Sequence, residues 1–312
     1  MTMLSRFMLI LLCGMGLSLS ALADTPKVLT TIKPLQLIAA AVLDGIDQPA
    51  VLLPTGASPH SYALRPSDRR ALQQAERIYW VGPELELFLE RLLKDQPRAR
   101  SAIQQAPELT LRTLGPALNF QHTEHSHDHH HGHDYHHHEG MVDAHIWLAP
   151  ANAQAIARWM VADLATLYPE QQAHLQANLT AFEQRLELLN QELALRLTPL
   201  QGKPYFVFHD AYGYFEDAYG LRAEGVFSLS HEVQPGARHV NLLRQRLRSV
   251  GPNCVFREPQ FPPRLIDSLS EGLNVFSGEL DPLGSEVAVT AQGYEVLLRE
   301  LGDNLATCLE RL

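Results

Sequence analysis

The sequence predicts an α/β protein of two lobes, each a doubly wound, mostly parallel sheet, joined by one long rigid helix. Two patterns carry that prediction: short apolar β-rich runs alternate with helical stretches in both halves, and an unusually long amphipathic stretch lies between them. In the first half, Val28 to Ile32 reads as a buried strand and Pro34 to Asp44 as a helix. Proline suits a helix's first turn, and Gly45 suits the position just past its end. Val51 to Leu53 and Ile78 to Val81 are further strands, with a helix capped by Ser67 running to about Arg77 between them. Strands separated by helices in this order form a parallel sheet. In the second half, Tyr205 to Phe208, Gly225 to Leu229, Cys254 to Phe256 and Asn274 to Phe276 repeat the pattern, without a residue-level repeat between the halves. In the connecting stretch, Leu175, Leu179, Phe182, Leu186, Leu189, Leu193 and Leu197 recur at spacings of three and four and share one face. Pro169 opens this segment and Pro199 closes it; at ~1.5 Å per residue it runs about 40 Å, the length of a domain. The expected boundaries are a lobe over 24–168, the helix over 169–199 and a lobe over 200–312. A stiff connector packed along both lobes limits hinge opening.

The chain has 312 residues and a formal net charge of -10, with Lys and Arg scattered along it. That balance argues against nucleic acid as a partner and suits a protein that attracts cations. The N-terminus reads as a secretory signal over residues 1–23. Arg6 supplies a short positive region, Phe7 to Leu19 an apolar one, and Ala21-Leu22-Ala23 a cleavage site after Ala23. The apolar run is shorter than a membrane-spanning helix needs, so the mature chain is expected to be soluble outside the cytoplasm, as a monomer. Removing the signal removes Cys13 and leaves Cys254 and Cys308, an even number in an oxidising compartment, and these are expected to pair. Neither belongs to a C-x-x-C pair, which argues against a redox or thiolate-metal role.

From His122 to His138, ten of seventeen residues are histidine: His122, His125, His127, His129, His130, His131, His133, His136, His137 and His138. Glu124, Asp128, Asp134 and Glu139 are interleaved or adjacent. The tract, within about 120–140, has too little apolar surface to offset its ordering entropy and reads as a loop inserted in the first lobe. Imidazole is the commonest protein ligand for Zn²⁺, Cu²⁺ and Ni²⁺, and adjacent histidines chelate without a preformed fold. Such a loop is a multi-site, weakly selective auxiliary binder, so a defined site must come from histidines in ordered context. His60 lies just past a predicted strand, His145 immediately before a helix that begins near Pro150, and His209 ends the strand Tyr205 to Phe208. Ligands of open α/β sheets bind beyond the carboxyl ends of strands, which is where His60 and His209 fall. Asp143 and Asp210 are the neighbouring acids suited to hydrogen-bond these imidazoles. His174 on the long helix reads as an exposed residue, and His231 and His239 as structural.

Seven motifs carry a family resemblance: Thr31-Ile32-Lys33-Pro34-Leu35, Leu53-Pro54 through His60, Leu64-Arg65-Pro66-Ser67-Asp68, Asp143-Ala144-His145-Ile146-Trp147-Leu148, Phe208-His209-Asp210-Ala211-Tyr212, Glu258-Pro259-Gln260-Phe261 and Leu280-Asp281-Pro282-Leu283-Gly284. With them, nearly the whole mature chain resembles the metal-specific solute-binding proteins of ABC importers, the cluster A-I family. The His-rich insert and the Cys254/Cys308 pair point to its zinc-specific periplasmic members. The resemblance implies metal bound in the cleft between the lobes, Zn²⁺ as the carried ligand, a membrane permease as partner and no catalysis. It also implies that His60, His145 and His209 are metal ligands. In manganese-binding relatives a Glu takes the position of His209, and three imidazoles favour Zn²⁺ over Mn²⁺. Some zinc members carry a ligand Glu directly before the first His, where this chain has Pro59. The fourth position is left to water or to Asp281, an acid that ligates metal in the manganese relatives.

Two other functions fit three imidazoles on a metal. A zinc hydrolase would have the same open coordination position, but no H-E-x-x-H or similar signature is present. A periplasmic metal chaperone or buffer would use the His-rich loop as its main element. The two-lobed body and the cleft motifs favour transport over both.

Overall fold

The computed structural model describes residues 27–114, 140–228, 237–262 and 264–312. The expected signal segment, the histidine tract from His122 to His138, and His231 lie outside the described residues. The elements follow one another as β1 (Val28–Thr30), α1 (Lys33–Val42), β2 (Ala50–Val51), α2 (Pro66–Gln74), β3 (Arg77–Trp80), α3 (Leu87–Leu93), β4 (Ala99–Ser101) and α4 (Ala102–Gln105). After the tract come α5 (Pro150–Leu167), α6 (Gln172–Leu197), β5 (Tyr205–His209), α7 (Gly213–Tyr219), β6 (Gly225–Ser228) and α8 (Ala237–Ser249). The chain ends with β7 (Asn253–Arg257), α9 (Arg264–Ser270), β8 (Val275–Glu279) and α10 (Gly293–Leu309).

Both sheets are parallel and share one topology, β2-β1-β3-β4 in the first and β6-β5-β7-β8 in the second. In each, the chain steps to one side of its first strand and then returns to the other. That places a topological switch point beside β1 and another beside β5, where open α/β sheets leave a crevice at the strand ends. The alternation of β5 shows how sequence sets the layers. Tyr205 and Val207 enter the main core, whereas Phe206 and Phe208 pack with Phe227, Leu243, Val255 and Ile266 on the opposite face.

The connecting helix is α6, and all seven apolar residues of its predicted stripe are buried. Pro169 and Pro199 sit in short 3-10 turns that flank it, because proline is tolerated at a helix's first turn but not within it. One continuous core runs from β1 and α1 through α5, α6 and α10 to β7. The exposed face of α6 is tied to α10 by Arg185–Glu295, Arg196–Asp303 and Arg299–Glu192. The two sheets are therefore braced against a shared helical layer, as a rigid connector requires. Among the described residues, no helix is long and apolar enough to cross a membrane.

Two expectations need correction in detail. Ser67 does not cap α2: Pro66 opens the helix, and Asp68 reaches back to accept the Arg65 backbone N–H at 2.7 Å, so the cap comes from the third position of the helix. The strand expected at Val51 to Leu53 is assigned only over Ala50–Val51. Leu52 and Leu53 nevertheless donate to the Thr30 and Thr31 carbonyls at 2.8 and 3.0 Å, which carries β2's direction on toward His60. Cys254 on β7 and Cys308 on α10 form the expected disulfide, with Cα atoms 6.1 Å apart.

Candidate metal centre

Three imidazoles converge where the two sheets face each other. His209 is the last residue of β5, His145 precedes the 3-10 turn Ile146–Leu148 that leads into α5, and His60 lies in the connection from β2 to α2. One ring nitrogen from each lies within 4.8 Å of the others. The ring centroids are 5.3 Å apart for His60 and His145, 5.3 Å for His145 and His209, and 6.1 Å for His60 and His209. His145 and His209 are each only 6% exposed, so the cluster is largely withdrawn from bulk water.

Carboxylates set which nitrogen each buried ring presents. The His145 Nδ1 lies 2.8 Å from Asp143 Oδ1, which also accepts the His145 backbone N–H at 3.1 Å. The His209 Nδ1 lies 2.5 Å from Glu258 Oε2, and Glu258 Oε1 accepts the His209 backbone N–H at 3.2 Å. With Nδ1 committed to a carboxylate, Nε2 is the nitrogen each ring offers, the arrangement that holds metal-ligating imidazoles in one tautomer. Glu258 stands just past β7, the neighbour of β5, so this pair occupies the switch point of the second sheet.

Asp143 is anchored from behind. Its Oδ2 accepts from Arg112 Nη1 at 3.0 Å, while Arg112 Nε donates to Asp217 Oδ2 on α7 at 3.0 Å. Tyr214, also on α7, donates to the Asp143 carbonyl and accepts from the Arg112 N–H, both at 2.9 Å. Burial opposes the Asp143 carboxylate, but hydrogen bonding and charge from His145, with Arg112 behind them, outweigh it and hold the carboxyl below its usual range. A Cβ at Gly213 would stand 1.7 Å from Arg112 Nη1, so any other residue there would displace this guanidinium.

The spacing suits one ion. His60 Nε2 and His145 Nε2 are 3.3 Å apart. Two nitrogens bound ~2.05 Å from a tetrahedral Zn²⁺ stand about 3.3 Å apart, so this edge of the triad already has the spacing such an ion requires. Pro59, Trp147, Phe261, Pro282 and Leu283 form apolar walls, and Ser58 and Gln260 add polar groups. Trp147 donates to the Pro282 carbonyl at 2.8 Å and Tyr294 donates to the Trp147 carbonyl at 2.5 Å, which ties the His145 segment to the second lobe.

The structure thus brings His60, His145 and His209 together, and among the described residues no other His, Cys, Asp or Glu joins that group. Asp281 stands apart. Its Oδ1 accepts from Gln260 Nε2 at 2.7 Å and the Leu283 N–H at 3.0 Å, and its Oδ2 accepts the Ser285 N–H at 2.6 Å. The carboxylate found at His209 Nδ1 is that of Glu258. Glu258 was legible only as part of a motif; pairing it with His209 requires knowing that β5 and β7 are neighbours. His174 is exposed on α6, and His239 lies in α8.

A braced two-lobed body with a buried three-imidazole cluster at the strand ends defines a solute-binding protein for a single metal ion. The chain belongs to the ZnuA family, described as zinc-uptake complex component A, periplasmic, whose model matches residues 28–308. It is 43% identical over 289 residues to the high-affinity zinc uptake system protein ZnuA of Yersinia pestis, covering 91% of each chain. It is 38% identical to the protein of the same name from Haemophilus ducreyi, covering 96% of this chain and 97% of that one. Among solved structures it is similar to a zinc-bound ZnuA deletion mutant, with a TM-score of 0.72 and 25% identity, covering 90% of this chain and 96% of that one. These relatives are uptake components and not enzymes.

Proposed function

We propose that this chain is a periplasmic zinc-capture protein that binds Zn²⁺ through His60, His145 and His209 and delivers it to the membrane permease of an ABC importer. The observation that carries the reading is the convergence of three imidazole nitrogens within 4.8 Å of one another, two of the rings backed by buried carboxylates, with the His60–His145 edge at the 3.3 Å that tetrahedral Zn²⁺ requires. Zinc is cargo here, so the site must also release it; a cluster assembled from both lobes is loosened by any small displacement of one lobe. The lobes are those expected over 24–168 and 200–312, working as a monomer after export and cleavage behind Ala23. Membership of a family of periplasmic zinc-uptake components supports this reading.

In this reading the histidine tract is an auxiliary collector and the cleft is the defined site. The stems of the tract support a clean test. Thr113 and Val142 form an antiparallel bridge, Leu114 donates to the Met141 carbonyl at 2.8 Å and Gly140 to the Leu114 carbonyl at 3.3 Å. The two ends already meet, so a chain lacking His122 to His138 can close without disturbing His145. Titration calorimetry of that deletion is expected to retain one tight Zn²⁺ and to lose only the weaker equivalents. Absence of a tight site would defeat the cleft assignment. Delivery is tested by growth: cells lacking the chain should fail in zinc-depleted medium and recover with the wild-type gene but not with His145→Ala.

The carboxylates behind the rings give a graded prediction. Asp143→Asn and Glu258→Gln are each expected to weaken Zn²⁺ binding by about 10–100-fold, because they remove the group that orients a ligand but leave the ligand in place. Affinities indistinguishable from wild type would show that the rings are held by packing alone.

A further inference from the structure

We propose that the side-chain carbonyl oxygen of Gln260, presented by Asp281, faces the fourth coordination position and accepts a hydrogen bond from a metal-bound water there. This rests on the three-imidazole zinc site proposed above and assigns a positioning residue to it.

The hydrogen bonds of the carboxamide fix its orientation. Asp281 Oδ1 lies 2.7 Å from one Gln260 side-chain atom, and a carboxylate has no proton to give, so that atom is the NH₂ group. The same NH₂ reaches Ser285 Oγ at 3.3 Å. The carbonyl oxygen is therefore on the other edge of the amide, turned away from the Asp281 turn. It is buried and, among the described residues, has no hydrogen-bond partner. Gln260 also lines the pocket formed by His60, His145 and His209. An unpaired buried acceptor costs on the order of 1–3 kcal/mol, so it marks a place where a donor is missing.

Among the described lining residues, Gln260 Oε1 is the one buried side-chain oxygen without a partner. Trp147 uses its N–H on the Pro282 carbonyl, Ser58 Oγ accepts the His60 N–H at 3.4 Å, and Pro59, Phe261, Pro282 and Leu283 offer apolar surface. A Zn²⁺ held by three imidazoles keeps an open fourth position, and the water it binds is polarised into a strong donor. The buried oxygen of Gln260 is the matching acceptor. Asp281, whose two oxygens are taken up by Gln260, Leu283 and Ser285, acts through Gln260 and not on the metal.

The test uses the full chain in competition with a chelator strong enough to strip the weaker loop sites. Gln260→Leu, which keeps volume without an acceptor, and Gln260→Ala should each lower Zn²⁺ affinity about tenfold, as loss of an outer partner of a metal site does. With Co²⁺ in place of Zn²⁺, the pH titration of the visible spectrum, which reports the bound oxygen, should move its midpoint in both variants. Asp281→Ala should weaken binding in the wild-type background and have little further effect beside Gln260→Leu, the non-additivity of residues in one chain of contacts. The proposal is overturned if the Gln260 variants bind within twofold of wild type with an unmoved cobalt titration. It is equally overturned if Asp281→Ala costs the same in both backgrounds, which would make Asp281 an independent contributor. Failure of the unmutated chain to bind Zn²⁺ tightly is a different result and would count against the site itself.

Discussion

His60→Ala, His145→Ala and His209→Ala are each expected to cost Zn²⁺ affinity by a factor of at least about 100, measured by chelator competition on the chain lacking His122 to His138. Apparent free energies for structural zinc are about 10–16 kcal/mol, so each of four ligands carries roughly 3 kcal/mol, and about 1.4 kcal/mol is tenfold. The loss should exceed that of the Asp143 and Glu258 variants, which keep all three nitrogens. His174→Ala, exposed on α6, is the control and should leave affinity unchanged. The three variants should differ in metal-free stability. Removing His145 leaves Asp143 paired with Arg112, whereas removing His209 leaves Glu258, only 3% exposed, without the imidazole 2.5 Å away. A buried carboxylate left with only neutral donors, the backbone N–H of residue 209 and the Tyr212 hydroxyl, is costlier than one that keeps a guanidinium, so His209→Ala should melt lowest of the three. If any one of the three bound zinc as tightly as wild type, that histidine would not be a ligand.

How much of this site the sequence discloses depends on whether a feature is local. The stripe from Leu175 to Leu197 predicts a long buried face because helical periodicity is written in neighbouring residues, and α6 buries all seven. His209 at the end of a strand is legible for the same reason, since an apolar run ending in a polar residue marks where a parallel strand leaves the sheet. Contacts between elements distant in sequence are a different matter. Glu258 reaches His209 across 49 residues, and Arg112 reaches Asp217 across 105. Neither pairing leaves a trace in composition or spacing, because the strand order β6-β5-β7-β8 and the seating of α7 against the Arg112 segment create them. β4 and α4 are equally hard to read, being three and four residues long with no room for a period to show. Asp281 illustrates the converse. Its family position makes it a candidate ligand, and the structure shows its carboxylate oxygens accepting from Gln260, Leu283 and Ser285.

Reducing the Cys254–Cys308 disulfide is expected to destabilise the metal-free chain by about 4 kcal/mol while leaving the zinc site able to bind. The cross-link spans 54 residues, and in the chain-entropy model a closed loop of that length removes about that much conformational freedom from the unfolded state. The bond joins the middle of the second sheet to the helix that packs on α1 and α6, so it fastens that sheet to the shared helical layer. The Cα separation of 6.1 Å lies within the ordinary range, so the fold does not have to distort to accommodate it. For a chain of this size, 4 kcal/mol corresponds to a fall of roughly 6 °C in Tm, readable by calorimetry with and without a thiol reductant. Cys254→Ser with Cys308→Ser should reproduce it. Zinc binding should survive at temperatures where the reduced chain is folded, since neither sulfur belongs to the imidazole cluster. An unchanged Tm would mean that the reduced, unfolded chain already holds these segments together. A reduced chain that stays folded but loses tight zinc would instead mean that the cross-link positions Glu258, four residues beyond Cys254 at the far end of β7, and through it His209.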